Sequence, residues 1–261
     1  MSATHPLIER EESLVVDGML IGRYHLYSAR RPCAELFEPT VDIEKAAAVI
    51  IEQLTGWNIT TSDDGLIQQL LNRGAQSVRR FSLMFLDLTS WSGAASDSAR
   101  PRREVIDYKP APITPDTVVS SALVDLIRRA YPPGHPDEEL GSDAEIVADV
   151  SGALHGSRMG PLMSESRLAV ESGRPVGMAL LNRVVGQAPT GGPWLTDICR
   201  DPDERYTGLG RALLHDVLRD CQAQGEPTLS LAVTHGNSAR RLYESVGFVT
   251  AADTHKLRLP G

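Results

Sequence analysis

With 261 residues, 41% of them hydrophobic, the chain has room for about one to two domains and enough apolar side chains for a globular core. Its formal net charge of −8 excludes non-specific nucleic-acid binding as a main role, since that depends on a basic surface and counterion release. Three widely spaced cysteines, Cys33, Cys199 and Cys221, exclude a disulfide framework and a zinc site, and no apolar run approaches the roughly 20 residues that span a bilayer.

In chain order, Ser13–Arg30 predicts a strand pair turning at Asp17-Gly18, Asp42–Leu54 a helix and Trp57–Thr61 a strand. Asp64–Leu71 predicts a second helix and Gln76–Leu88 a strand. A polar stretch, Ser90–Arg103, then reads as a linker between an N-terminal part (residues 1–89) and a C-terminal part (residues 104–261). Beyond it, Glu104–Ile113 supplies a strand, Pro115–Tyr131 an amphipathic helix through Leu123, Leu126, Ile127 and Ala130, and Ser142–Leu154 a helix with Asp143 and Glu145 in its first turn. Arg167–Val170 and Pro175–Val185 form a hairpin across Glu171-Ser172-Gly173-Arg174.

The most specific signal lies further on. Trp194–Arg200 reads as a strand, and Asp201-Pro202-Asp203-Glu204 turns it into Arg205-Tyr206-Thr207-Gly208-Leu209-Gly210-Arg211. A helix follows with Leu209, Leu213, Leu214, Val217, Leu218 and Cys221 on one side, ending near Gly225. Amides in the first turn of a helix have no carbonyl partner, and the peptide dipoles leave roughly half a positive charge there. Gly208 and Gly210 admit a ligand to the backbone, while Arg205 and Arg211 add fixed charge, so the segment is a phosphate cradle. Next come a strand, Thr228–Val233, and a short helix, with Asn237 placed to cap its start, Leu242-Tyr243 inside it and Gly247-Phe248 at its end.

These two motifs, in this order and separation, resemble the GNAT superfamily of acyl-CoA-dependent N-acetyltransferases, whose pyrophosphate pattern is Arg/Gln-x-x-Gly-x-Gly/Ala and whose later helix carries Asn, Ala, Leu-Tyr and Gly-Phe. The resemblance covers about residues 112–261 and is strongest from Trp194 onward. It implies an α+β (α/β layered) fold, with a mixed central sheet flanked by helices and a smaller N-terminal α/β lobe. It also implies acetyl-CoA, or another acyl-CoA, as cosubstrate, held by Arg200, Arg205, Tyr206, Thr207, Gly208, Leu209, Gly210, Arg211 and Asn237, without a metal. The cofactor's pantetheine arm would lie where the strands at Trp194 and Thr228 part, pairing with backbone groups near Ile198, Cys199 and Arg200 as an added strand does. Tyr243 stands where the family keeps its general acid.

The chain departs from the family at two points. Asn237-Ser238-Ala239 is one residue shorter than the usual Asn-x-x-Ala, which bears on the cofactor contact of Asn237. Where some members carry a catalytic glutamate, this chain has Trp194 and Ala232, so Asp197 is the one carboxylate within the first strand and the candidate base. Strand alternation puts Asp197 on the side of Leu195 and Cys199. His235, just past its strand, and a water chain are the other candidates.

The helix, strand, helix, glycine, strand order of Asp42–Leu88 repeats the end of the chain, with Gly74 in the place of Gly247. Residues 1–89 therefore read as a degenerate GNAT-like lobe that lacks the glycine turn and is not expected to bind CoA. The acceptor-facing loop, Tyr131–Glu139, holds three prolines and three carboxylates. Three functions fit: acetyl transfer to a small-molecule primary amine by direct attack in a ternary complex, acetylation of a protein lysine or N-terminus, and a catalytically silent acyl-CoA-binding module. The first 30 residues show no basic start followed by an apolar stretch, so a cytoplasmic monomer or homodimer, with no nucleic-acid or membrane partner, is expected.

Overall fold

The computed structural model describes residues 10–28, 32–93, 109–138, 141–157 and 159–261. Most of the predicted linker and the first residues of the strand predicted at Glu104 lie outside them. The chain divides into two compact units: unit 1 takes in residues up to Leu83 together with Ala252–Gly261, and unit 2 is Met84–Ala251. The final residues, which the sequence places with the C-terminal part, thus belong to unit 1.

From the N-terminus the elements are β1 (Arg10–Val16), β2 (Met19–Ser28), β3 (Pro32–Pro39), α1 (Ile43–Gln53), β4 (Asn58–Thr61), α2 (Asp64–Asn72) and β5 (Gln76–Asp87). There follow β6 (Lys109–Pro112), α3 (Ser121–Ala130), α4 (Asp143–Leu154), β7 (Arg167–Glu171), β8 (Arg174–Val184) and β9 (Gly192–Arg200). A single 3-10 turn (Glu204–Tyr206), α5 (Leu209–Ala223), β10 (Thr228–Thr234), α6 (Ala239–Val246) and β11 (Val249–Arg258) complete the chain.

In unit 1 the strands run in the order β1-β2-β3-β4-β11. Asp17 and Gly18 turn the first hairpin with φ of 50° and 75°, the left-handed pair that matches strand twist. The strand β3 has no counterpart in the sequence reading. Prolines bound it, and Leu36 at φ 53° breaks its alternation where the register with β2 shifts. Ile21, Phe37, Ile50, Ile59, Leu66, Leu70 and Leu257 form the core of this unit.

In unit 2, β6, β7, β8 and β9 are successive antiparallel neighbours, and β10 lies parallel to β9. The helix α3 begins at Ser121, six residues later than its apolar pattern suggested, because the Ser120 hydroxyl caps the amide of Leu123. The sheet separates two cores. Leu181, Leu195, Leu213, Val217, Leu231, Tyr243 and Phe248 pack on the face of α5 and α6. Leu123, Leu126, Ile127, Ile146, Met178, Leu180 and Cys199 pack on the face of α3 and α4.

One succession occurs twice along the chain, over residues 10–87 and 167–258. Three antiparallel strands are followed by a helix, a strand parallel to the third, a second helix and a last strand. In both copies the third strand carries a bulge.

Candidate active site

The glycine turn is braced before it reaches the helix. At the end of β9 the Asp201 amide donates to the Val176 carbonyl at 2.8 Å. The buried Asp201 carboxylate holds Arg174 at 2.7 Å and Arg129 at 3.1 Å, and accepts from the Asp203 amide at 3.1 Å. Burial opposes its charge, but the Asp203 amide and the two guanidinium groups outweigh it and keep the carboxyl below its ordinary value. Tyr206 is buried, and its hydroxyl donates to Glu171 at 2.7 Å. The guanidinium of Arg205 lies 4.6 Å from the centre of the Tyr206 ring and within ion-pair distance of Glu171 and Asp203. Arg200 donates to the Asp201 carbonyl at 2.7 Å. Arg200, Arg205 and Tyr206, read from the sequence as cofactor contacts, thus also shape the turn.

At the helix start the design is reversed. Gly208, at φ 95°, is the residue that precedes α5 and has no side chain to cap it. Thr207 is exposed, Leu209 turns into the core, and a methyl group built on Gly210 would meet nothing within 4 Å. Arg211 reaches the Ser245 hydroxyl at 3.0 Å. The first intrahelical bond runs from the Ala212 amide to the Gly208 carbonyl, so helix geometry leaves the amides of residues 209–211 for an anion.

Beside this turn the sheet opens. Ser230 of β10 lies opposite Trp194, and beyond that pair the two strands part. Antiparallel strands direct alternate residues' amides and carbonyls to alternate sides. Because the Asp201 amide faces β8, the backbone groups of Ile198 and Arg200 face the opened edge. Cys199, between them, turns its backbone groups to Met178 of β8. Its thiol is buried against α3 and α4, where burial first and Asp197 second push its pKa well up.

A bulge decides where Asp197 points. Leu180 lies opposite Asp197 while Leu181 lies opposite Leu195, leaving Thr196 as an extra residue in β9. The simple alternation expected from the sequence is therefore broken. Leu195 faces the α5–α6 core, whereas Asp197 shares the α3–α4 side with Cys199. There Asp197 accepts a hydrogen bond at Oδ1 from the Tyr131 hydroxyl at 2.5 Å. Tyr243 is buried on α6, its ring 5.7 Å from that of Phe248. Burial first, then the charges of Asp197 and Asp137, push its hydroxyl far above its ordinary pKa, so it keeps its proton at neutral pH.

The loop between α3 and α4 completes the arrangement. Asp137 accepts from the Thr234 hydroxyl at the end of β10 and, at 2.6 Å, from the Asn237 side-chain amide. Asn237 accepts in turn from the Ala239 amide at 2.8 Å, so it caps the start of α6 as its position suggested while also holding the loop. His235 sits half-buried in the turn after β10, whereas His135 meets the Tyr131 ring edge-on at 5.1 Å. Trp194 is buried and Ala232 exposed. Neither Tyr131 nor Asp137 was singled out as a site residue by the sequence. Their shared signal was membership of the acceptor-facing loop. Among the described residues no cluster of three His, Cys, Asp or Glu could hold a metal ion, and no helix is long and apolar enough to cross a membrane.

Residues 121–248 match the family model described as Acetyltransferase (GNAT) family. Over 108 residues the chain is 34% identical to the mycothiol acetyltransferase of Nocardiopsis dassonvillei, covering 41% of this chain and 29% of that protein. Over 79 residues it is 37% identical to the [ribosomal protein bS18]-alanine N-acetyltransferase of Escherichia coli K12, covering 30% of this chain and 50% of that one. The matches thus span half or less of these curated relatives. A solved GCN5-related N-acetyltransferase from Sphaerobacter thermophilus has the same fold, with a TM-score of 0.58 over 93% of this chain and 77% of that chain at 16% identity.

Proposed function

Residues 121–248 belong to the GNAT acetyltransferase family, and on that premise we propose that the chain transfers an acetyl group from acetyl-CoA to the primary amine of a small molecule by direct attack in a ternary complex. The observation that carries this reading is the uncapped helix start at Gly208 beside the edge of β9 that β10 leaves open. The pair suits a pyrophosphate followed by an extended amide-bearing arm. Residues 209–211 would hold the phosphates and the backbone of Ile198 and Arg200 the arm, and acetyl-CoA would supply the activated thioester.

An amine of pKa about 10.4 is neutral in only about one molecule in 2,500 at pH 7, a deficit of roughly 4.6 kcal/mol. Asp197 is the group we assign to take up its proton. Tyr243, held in the protonated state, gives a proton to the departing sulfur, a role that typically contributes about 10² to 10⁴ in rate. The two relatives differ in acceptor, one named for mycothiol and the other for a ribosomal protein's alanine. The small-molecule reading is favoured because the loop is tied to β9 through Tyr131 and to the end of β10 through Asp137, which narrows the way in for a polypeptide.

Residues 10–87 are read here as a degenerate copy of the same fold that holds no CoA. Where α5 is uncapped, α1 is closed by the Asp42 carboxylate, which accepts from the amides of Glu44 at 3.0 Å and Lys45 at 3.3 Å. Where β9 is open, β3 is bridged by β4: the Leu36 amide donates to the Thr60 hydroxyl at 2.7 Å, and the Thr61 hydroxyl donates to the Phe37 carbonyl at 2.9 Å.

The test is thiol release from acetyl-CoA across a panel of polyamines, amino sugars, aminothiols, and peptides with free N-termini or lysines. Turnover with a small amine above the peptides supports the proposal. Faster turnover of peptides points to the protein acetyltransferase, and tight CoA binding with no release above hydrolysis leaves a silent binding module.

A further inference from the structure

We propose that Tyr131 is the positioning residue of the base: its hydroxyl, 2.5 Å from Oδ1 of Asp197, fixes the orientation in which that carboxylate meets the amine. The inference rests on the acetyl-transfer reading and on Asp197 as base. The end torsion of an aspartate is broad and close to two-fold, so a carboxylate on a strand has no single orientation of its own. A hydrogen bond to one oxygen supplies one, and misplacement by about 1 Å can cost about 100-fold in rate.

The donor is itself held. Tyr131 closes α3, its amide donating to the Ile127 carbonyl at 3.0 Å, and its ring rests against the edge of His135. The far end of the loop is pinned by Asp137 to Thr234 and Asn237, and Pro136 packs on Gly236. The ionisable groups acting electrostatically with Asp197 include Tyr131 from the end of α3, Cys199 from its own strand and Tyr243 from α6. Burial first, then Asp197, raises the pKa of Tyr131 far above its ordinary value, so it keeps its proton and stays a donor throughout the neutral range. A phenol that never gives up its proton is unsuited to be the base and well suited to aim one.

The experiment uses the full chain, acetyl-CoA and the fastest amine of the panel, or acetyl-CoA hydrolysis where no amine is turned over. Tyr131→Phe, Asp197→Asn and the double variant are compared. Tyr131→Phe should lower kcat by about 10- to 100-fold while leaving the KM for acetyl-CoA within about two-fold. The acid limb of its kcat/KM profile should move to higher pH, because a carboxylate that loses a donated hydrogen bond binds its proton more tightly. The double variant should be no slower than Asp197→Asn alone, since the hydroxyl acts only through the carboxylate. Losses that multiply, or an unmoved acid limb, overturn the positioning role and leave the base intact. An Asp197→Asn variant with parental kcat overturns the base assignment and this proposal together. CoA affinity by calorimetry confirms that each variant keeps its fold.

Discussion

Gly208→Ala is the sharpest probe of the phosphate cradle, because its neighbour Gly210 supplies an internal control. Gly208 sits at φ 95°, where a Cβ collides with the backbone at a cost of about 1–2 kcal/mol. Gly210 lies in the first turn of α5 with open space around its Cα, so alanine there gains up to about 1 kcal/mol of helix propensity. At about 2–4 °C per kcal/mol for a unit of this size, Gly208→Ala should melt about 2–8 °C below the parent and Gly210→Ala at or a few degrees above it. Binding should separate the two as well. Strain at Gly208 turns the following amides away, and loss of one hydrogen bond to a charged group, about 1.5–3 kcal/mol, weakens CoA by about 10- to 100-fold. Gly210→Ala should bind within a few-fold of the parent, as expected from a family pattern that admits either residue. Differential scanning calorimetry and titration calorimetry measure both quantities. A Gly208→Ala protein that melts with the parent and binds CoA undiminished would show that this turn is not the cradle.

Tyr243→Phe should lower kcat by about 10² to 10⁴ with little change in CoA affinity, as read by thiol release and calorimetry. Stability should follow pH on two sides. Tyr131, Tyr243 and Cys199 bind their protons more tightly folded than unfolded, so their contribution is full below the ordinary values of 10.0 and 9.0 and is lost as pH rises beyond them toward the raised folded values. Asp201 is depressed, so its contribution is present above 3.8 and is lost as pH falls below it. Urea denaturation at pH 3, 7 and 11 should therefore give its highest midpoint at pH 7. Asp42→Ala should destabilise unit 1 by about 1 kcal/mol through loss of a helix cap. It should also leave CoA binding at one per chain with unchanged affinity, which titration calorimetry reads directly.

What the sequence made legible was local. The glycine turn, the helix it opens and the Tyr243 helix each depend on neighbours a few residues apart, where capping and periodicity operate. The strand β3 was hidden because its proline ends and left-handed Leu36 erase the alternation by which strands are recognised. Asp197 was named as a candidate on the face of Leu195, and the bulge puts the two on opposite faces, since the extra residue at Thr196 is set by pairing with β8 and not by β9 itself. The union of Tyr131 with Asp197 joins residues 66 apart in the chain, and that of Asp137 with Asn237 joins residues 100 apart. No pattern within either segment encodes such a meeting.

Unit 1 is interrupted in sequence, and this has a consequence for how the protein is made. Leu257 and Leu259 belong to its core, and Asn58–Thr61 pairs with residues 255–258. Those partners leave the ribosome only after all of unit 2 has been translated, so unit 1 must wait with β4 incompletely paired and part of its core exposed. Long-range pairing of this kind is slow and open to aggregation. The half that is read as having no ligand is thus the half whose core is completed by the last residues translated.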